Sequence, residues 1–80
     1  MPRLPQVSGS DVVGLLQSLG YQSVRQRGSH IQLKKKTPVG EHTITVPAHR
    51  IMAKGTLNDI LNRISLWNNI SKEDLIERLK

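Results

Sequence analysis

Positive charge crowds around a single histidine in the stretch RQRGSHIQLKKK, residues 25–36. The stretch holds two arginines, three lysines and His30, and it contains no carboxylate. Nearby cations favour the neutral form of an imidazole ring, and a neutral imidazole can act as a general base near neutral pH. Fixed cations can also hold a phosphate and stabilise a pentacoordinate transition state. These residue types can support metal-free cleavage of RNA, whose 2′-hydroxyl is the nucleophile, with His30 as the base.

The net charge of +6 comes from one part of the chain. Residues 21–55 contain seven basic residues and only one acidic residue, Glu41, while the remainder has five of each sign. A localised basic face suits nucleic acid or another polyanion. A basic hairpin that is merely solvated, with an ordinary exposed histidine, remains the alternative, because one histidine near arginines is a weak signal. We expect Arg63, Arg78 and Lys80, in the balanced remainder, to contribute little to RNA binding.

Length and composition indicate one small domain. We place it at residues 8–80 and expect residues 1–7 to be flexible. The chain has no Phe, one Trp and one Tyr, so its core must be mainly aliphatic. The absence of an apolar run of 18 residues argues against a membrane span, and the N-terminus lacks the apolar segment of a signal peptide. We therefore expect a cytoplasmic protein without membrane contact.

A metal site is not expected. There is no cysteine, which rules out a disulfide framework or a cysteine-based zinc site. The three histidines, His30, His42 and His49, lack the i, i+4 spacing of helical metalloprotease ligands. We expect no cofactor of any kind.

Hydrophobic spacing predicts the element order α-β-β-β-α-α. The segments SGSDVVGLLQSLG and TLNDILNRI carry apolar residues at i, i+3, i+4 and i+7, the period of a helix. Ser8 and Asp11 have capping-box spacing at the start of the first helix, and Gly20 can end it. A short third helix is predicted in SKEDLIERL. The order indicates an α+β fold with the helices on one face of the sheet.

The first two strands are predicted to form a hairpin. Gly28 and Ser29 make a two-residue loop with glycine first, as a type II′ turn requires. Arg27 then lies opposite His30, and continuing this register places Val24 opposite Leu33. One face should carry the apolar residues Val24, Ile31 and Leu33. The opposite face should carry Arg25, Arg27, His30, Gln32 and Lys34.

A third strand, EHTITVP, should complete a three-stranded antiparallel meander. Apolar residues share a face only if Leu33 lies opposite Ile44 and Ile31 lies opposite Val46. Thr43 and Thr45 then join the face of His30. Because antiparallel sheets can leave one face in water, this face should be open to solvent.

Three short motifs follow one another along the chain: GSH at residues 28–30, VPAH at residues 46–49 and GTL at residues 55–57. Their order and spacing are far more specific than any one of them alone. Over about residues 8–65 the sequence resembles the HicA family of toxin endoribonucleases. The third helix is similar to the C-terminal extension of longer members.

The resemblance implies a double-stranded-RNA-binding-like α-β-β-β-α fold, here with an added short C-terminal helix. It implies that His30 is catalytic, that mRNA is cleaved without metal, and that a cognate HicB-like antitoxin covers the active face. His49 matches the family's second histidine, and its role is left open. The candidate RNA-binding residues are Arg25, Arg27, Ser29, Lys34 and Lys54.

Two other functions fit the same sequence. A non-catalytic RNA-binding module needs only the same fold and charge, because double-stranded RNA is recognised largely by shape and backbone contacts. Alternatively, the basic face docks an acidic protein partner. Backbone N–H groups of Gly55 and Thr56, next to Lys54, could meet a phosphate at the start of the second helix; ordinary helix capping explains the same residues.

Overall fold

The computed structural model of the chain describes residues 4–79. Its elements follow in the predicted order: α1 (Gly9–Ser18), β1 (Gln22–Arg27), β2 (His30–Thr37), β3 (Gly40–Pro47), α2 (Lys54–Asn68) and α3 (Lys72–Leu79). The α+β class, with an α-β-β-β-α order and an added C-terminal helix, is confirmed. Within the described range, none of the helices is long and apolar enough to span a membrane.

Local signals set the two ends of α1. The Asp11 backbone N–H donates to the Ser8 hydroxyl at 3.1 Å, and the Asp11 carboxylate accepts from the Ser8 N–H at 3.0 Å. This reciprocal pair is the predicted capping box. Gly20 follows the helix with φ +101°, a left-handed conformation that suits glycine. The Tyr21 N–H then turns back to the carbonyl of Leu16 at 3.0 Å.

The sheet is an antiparallel meander with the strand order β1-β2-β3. The predicted register between its second and third strands is confirmed by the pairs Leu33 with Ile44, Ile31 with Val46, and Lys36 with Glu41. Because side chains alternate between faces, this register sends Leu33 and Val46 into the core. Thr43 and Thr45 lie exposed on the other side.

The register of the first hairpin is correct only near its turn. The pairs made by Arg25 and Arg27 are as predicted, but beyond them a β-bulge shifts the register by one residue. Ser23, and not Val24, therefore lies opposite Leu33. Val24 is 51% exposed. The prediction that Val24 shares the buried apolar face is wrong.

Burial of Tyr21 gives the physical reason for the bulge. In an uninterrupted strand, residues two positions apart share a face, so Tyr21 would lie on the same side as Arg25 and Arg27. The extra residue reverses this alternation. Tyr21 can then enter the core, where it is 2% exposed, while both arginines remain exposed. Burying a large side chain stabilises the fold by roughly 1.5–3 kcal/mol, which outweighs the exposure of the smaller Val24.

The helices lie on one side of the sheet, as predicted: α1 and α2 contact the strands, and α3 packs against α1 and α2. Their spaced apolar residues meet the apolar residues of β2 and β3 in one cluster. Its fully buried side chains are Val12, Leu16, Leu33, Val46, Leu57, Leu61, Ile64 and Leu75. The opposite face of the sheet, here called the open face, is not covered by any helix of residues 4–79. It carries Arg25, Arg27, His30, Gln32, Lys34, Thr43 and Thr45.

The chain before residue 8 also contacts the core. Val7 is 6% exposed, and Leu4 packs against the core cluster. The Val7 carbonyl accepts from the Met52 N–H at 2.7 Å, which ties this segment to the connector before α2. The predicted boundary at residue 8 thus leaves out a core side chain. The flexibility of residues 1–7 stays a prediction, and residues 1–3 lie outside the described range.

Candidate active site

The turn between β1 and β2 presents His30 at the edge of the open face. Gly28 has φ +57°, whereas Ser29 has no positive φ, as a type II′ turn requires. His30 is the first residue of β2 and pairs with Arg27 on one side and with Pro47 on the other. Its side chain is exposed, so the ring is accessible to a ligand.

The connector after β3 holds this turn in place. The Ala48 N–H donates to the Ser29 carbonyl at 2.6 Å, and the Gly9 N–H donates to the His49 carbonyl at 2.8 Å. Gly9 must be glycine here, because an added Cβ would collide with the carbonyl oxygen of Pro47. The start of α1, the connector and the turn therefore form one clamped unit behind His30.

On the β1 side of His30 lies a cavity of about 170 Å³, which we call the arginine depression. It is lined by Arg25, Arg27, His30, Gln32 and Thr45. In the part of the chain that the structure describes, neither arginine takes part in an ion pair. Two guanidinium groups without carboxylate partners beside an accessible imidazole can hold a phosphate, because guanidinium donors match phosphate oxygens well.

On the other side of His30, a second cavity of about 250 Å³ runs between β3 and α2. We call it the α2 groove. Its lining combines His30, three threonines (Thr43, Thr45 and Thr56), the pair Asp59 and Arg63, and the apolar residues Ile44, Pro47 and Ile60. Arg63, which the charge count placed outside the RNA face, thus lies in a cavity shared with His30.

The candidate RNA-binding lysines, Lys34 and Lys54, line neither of the two cavities at His30. Lys34 is on the open face, but it forms an ion pair with Glu41 at 3.6 Å and lines a different cavity at the β1 edge. Lys54 is the exposed first residue of α2. It lines neither cavity at His30, whereas Thr56, two residues later, lines the α2 groove. The backbone carbonyl of Ser29 accepts the hydrogen bond from Ala48 that holds the turn to the connector.

A family model described as a HicA toxin of bacterial toxin-antitoxin matches residues 9–66. This range covers more than half of the chain and includes the turn, the connector and the start of α2. The chain belongs to the HicA toxin family. It is therefore the toxin of a toxin–antitoxin system, and an antitoxin is its partner. No curated protein and no solved structure matches the chain.

The helix-covered face of this HicA sheet holds a second histidine, His42, which is 5% exposed. Its ring stacks on Trp67 at 4.7 Å between centroids, with the planes 6° apart. The Tyr21 hydroxyl lies 2.6 Å from His42 Nδ1. Asn68 donates to that hydroxyl at 3.0 Å and accepts from Lys35 at 2.6 Å. We call these five side chains the His42 network.

The His42 network favours a neutral imidazole. The Tyr21 hydroxyl oxygen accepts a hydrogen bond from Asn68. The hydroxyl proton of Tyr21 can therefore be donated to Nδ1 of a neutral His42. Burial, and secondarily the charge of Arg63, holds the pKa of His42 below its ordinary value of 6.5. Burial also raises the pKa of Tyr21 above 10.0, opposed by the hydrogen bond from Asn68.

Neither the α2 groove nor the His42 network was predicted from the sequence. The GTL motif at residues 55–57 is the one signal that pointed to the groove, since it contains Thr56. For His42, alternation with Ile44 and Val46 places the ring on the helix face. Among residues 4–79, no three His, Cys, Asp or Glu side chains cluster as potential metal ligands.

Proposed function

We propose that this HicA toxin is an endoribonuclease that cleaves mRNA without metal, with His30 as the general base. The observation that carries the proposal is the arginine depression. An accessible imidazole lies beside two guanidinium groups that no carboxylate among the described residues neutralises. A phosphodiester held by Arg25 and Arg27 would bring the adjacent ribose close to His30.

The proposed reaction is a transesterification. His30 takes the proton from the 2′-hydroxyl of the ribose, and the 2′-oxygen attacks the adjacent phosphorus. The bond from phosphorus to the 5′-oxygen breaks, that oxygen takes up a proton from water, and the hydroxide that remains takes the proton back from His30. The products are a 2′,3′-cyclic phosphate and a free 5′-hydroxyl. Arg25 and Arg27 stabilise the charge that builds up on the phosphoryl oxygens in the transition state.

Other basic residues extend the RNA contact. Lys34 lies on the open face and Lys54 at the start of α2, so both reach phosphates beyond the one that is cleaved. Ser29 joins them in the turn beside His30. Phosphate contacts of this kind position a nucleic acid without reading its sequence. The open face as a whole therefore supplies affinity for the RNA backbone.

The antitoxin is proposed to be a HicB-like protein that covers the open face. A chain with a net charge of +6 favours a partner with an acidic surface, because complementary charge accelerates encounter and fixes orientation. Covering His30 would exclude RNA directly. Inhibition would then need no change of shape in the toxin.

The test is a cleavage assay on single-stranded RNA with protein stripped of metal by EDTA. We expect wild-type protein to cut and to leave 2′,3′-cyclic phosphate ends, and we expect His30→Ala to cut at least about 10²-fold more slowly. His49→Ala is the matched control, because His49 is also exposed and lines neither cavity at His30.

Three results would contradict the proposal. Cleavage that appears only when Mg²⁺ or Mn²⁺ is added back would refute the metal-free mechanism. An unchanged cleavage rate in folded His30→Ala would show that His30 is not the general base. RNA that binds to wild-type protein but is never cut would mean an RNA-binding module instead of a nuclease.

A further inference from the structure

The arginine depression and the α2 groove meet at His30. Both cavities are lined by His30 and Thr45, so they flank the histidine on its two sides. An RNA strand with a phosphate in the arginine depression can continue past His30. The α2 groove is the larger cavity, about 250 Å³ against about 170 Å³. It adjoins His30 on the side of β3 and α2.

The two cavities differ in chemistry. The α2 groove has apolar lining from Ile44 and Ile60, which are 3% and 5% exposed, together with hydroxyl groups such as those of Thr43 and Thr56. Pockets that combine apolar surface with a few polar groups are typical of sites for small organic ligands. A nucleobase has this character, with apolar faces and polar edges, whereas a phosphate does not.

Charge balance separates a nucleoside from a second phosphate as the occupant. Asp59 and Arg63 form an ion pair at 3.2 Å, and their side chains are 62% and 63% exposed. The pair has no net charge, so it adds little attraction for a phosphate. It offers a carboxylate that accepts hydrogen bonds beside a guanidinium that donates them. Base edges present donors and acceptors of both kinds.

We infer that the α2 groove holds one nucleoside of a single-stranded RNA, next to the phosphate bound by Arg25 and Arg27, and that Asp59 and Arg63 bind the edge of its base. The inference rests on the proposed cleavage at His30. It assigns the two cavities different tasks. The arginine depression holds the backbone, and the α2 groove sets which nucleotide lies beside the cleaved bond.

Cleavage of a random-sequence RNA pool tests this assignment, with the cut sites mapped by sequencing. We expect wild-type protein to prefer one nucleotide on one side of the cut. Arg63→Gln and Asp59→Asn should each relax that preference by about tenfold, the value of one charge-assisted hydrogen bond. The matched controls are Arg78→Gln and Asp74→Asn. They alter an exposed i, i+4 pair of the same kind, at 3.4 Å on α3, which lines neither cavity at His30.

Several outcomes would overturn the assignment. One is an unchanged preference in both groove variants; another is an equal change in the α3 controls. A uniform loss of rate at every cut site would also count against it, because it would mean that the groove binds backbone and not base. Circular dichroism confirms that each variant is folded, and Thr56→Val provides an independent groove variant with the same expectation.

A second readout keeps the two proposals apart. In His30→Ala protein, NMR titration with a short single-stranded RNA should shift the amide signals of Thr43 and Thr56. If wild-type protein cuts no RNA but these signals shift, the nuclease proposal fails, and the α2 groove is an RNA-binding site without a role in choosing a cut site. If wild-type protein cuts RNA and the shifts stay confined to the residues around Arg25 and Arg27, the groove assignment fails alone.

Discussion

Two histidines on neighbouring strands of this sheet differ in their surroundings: one is exposed to solvent and the other is buried. His30, on β2, faces water between two cavities, beside arginines that lack carboxylate partners in the described chain. His42, on β3, lies under the helices with 5% of its surface exposed. Strand alternation alone sends them to different faces. The same side chain is thus available for chemistry on one face and is a structural element on the other.

The difference lies in what each ring contacts. His42 is stacked on Trp67 and bound to the Tyr21 hydroxyl at 2.6 Å, so its position is fixed and its neutral form is favoured. His30 is held through its backbone, by the turn and by the clamp from the Ser29 carbonyl to Ala48. Its ring is left free for a substrate. Substitutions at each histidine and at its neighbours separate these two roles.

Substitution of His30 by alanine should lower the cleavage rate, whereas substitution of His42 by alanine should lower the free energy of unfolding. His30→Ala should lower RNA cleavage by about 10²–10⁴-fold, the typical contribution of a general base, with no loss of stability because the side chain is exposed. His42→Ala should keep its cleavage rate at temperatures where it is folded. Single-turnover kinetics at low temperature measure both. If His42→Ala lost as much rate as His30→Ala while fully folded, the division between the faces would be wrong.

The His42 network should appear in the free energy of unfolding. His42→Ala leaves a cavity against Trp67 and removes the acceptor of the Tyr21 hydroxyl proton. We expect a loss of about 2–4 kcal/mol in urea denaturation. His49→Ala, at an exposed position, should change stability by less than about 0.5 kcal/mol. Equal stabilities of the two variants would show that the network contributes nothing.

The clamp behind His30 can be tested through two glycines of α1. Gly9→Ala should destabilise the fold by about 1–3 kcal/mol through overpacking against Pro47, and it should slow cleavage because the connector positions the turn. Gly14 has open space around it, so Gly14→Ala should stabilise by about 0.5–1 kcal/mol. Thermal melts and cleavage rates check both. A neutral Gly9→Ala would mean that the clamp is loose.

The basic side of the open face should be visible in the salt dependence of RNA binding. In a His30→Ala background, Arg25→Gln and Arg27→Gln should each flatten the log–log salt slope by about 0.7, the value for one phosphate contact on a single strand. Arg78→Gln should leave the slope unchanged, because Arg78 is paired with Asp74 on α3. Titrations at several salt concentrations measure this. Identical slopes for all three variants would place the RNA elsewhere.

Stability should fall in mild acid because of His42. The pKa of His42 is lowered in the folded state. Below pH 6.5, His42 therefore takes up a proton in the unfolded chain while it stays neutral in the folded chain. The free energy of unfolding therefore keeps the whole contribution of His42 above pH 6.5 and decreases as the pH falls from 6.5 toward the lowered pKa of the folded state. Urea denaturation across pH 5–8 measures the effect. His42→Phe keeps a ring against Trp67 and should flatten this part of the profile; a wild-type slope in that variant would assign the effect to another group.

Much of the fold was predictable because its signals are local. The capping box of Ser8 and Asp11 and the Gly28-Ser29 turn each involve residues within a few positions of one another. Apolar periodicity then set the helices and the register between β2 and β3, since only one register brings apolar residues to the same face. These steps were sufficient to place His30 and Arg27 opposite each other on the face without helices.

The bulge, the α2 groove and the His42 network depended on distant residues. Val24 is turned out because the core accepts the larger Tyr21, a competition that strand alternation does not reveal. The groove joins β3 to α2, and the network joins residues 21, 35, 42, 67 and 68. Local patterns in the sequence were enough to place His30 and its two arginines on the open face. The residues of α2 that line the groove beside His30 were decided by the packing of that helix against the sheet, because these contacts form between segments far apart in the chain.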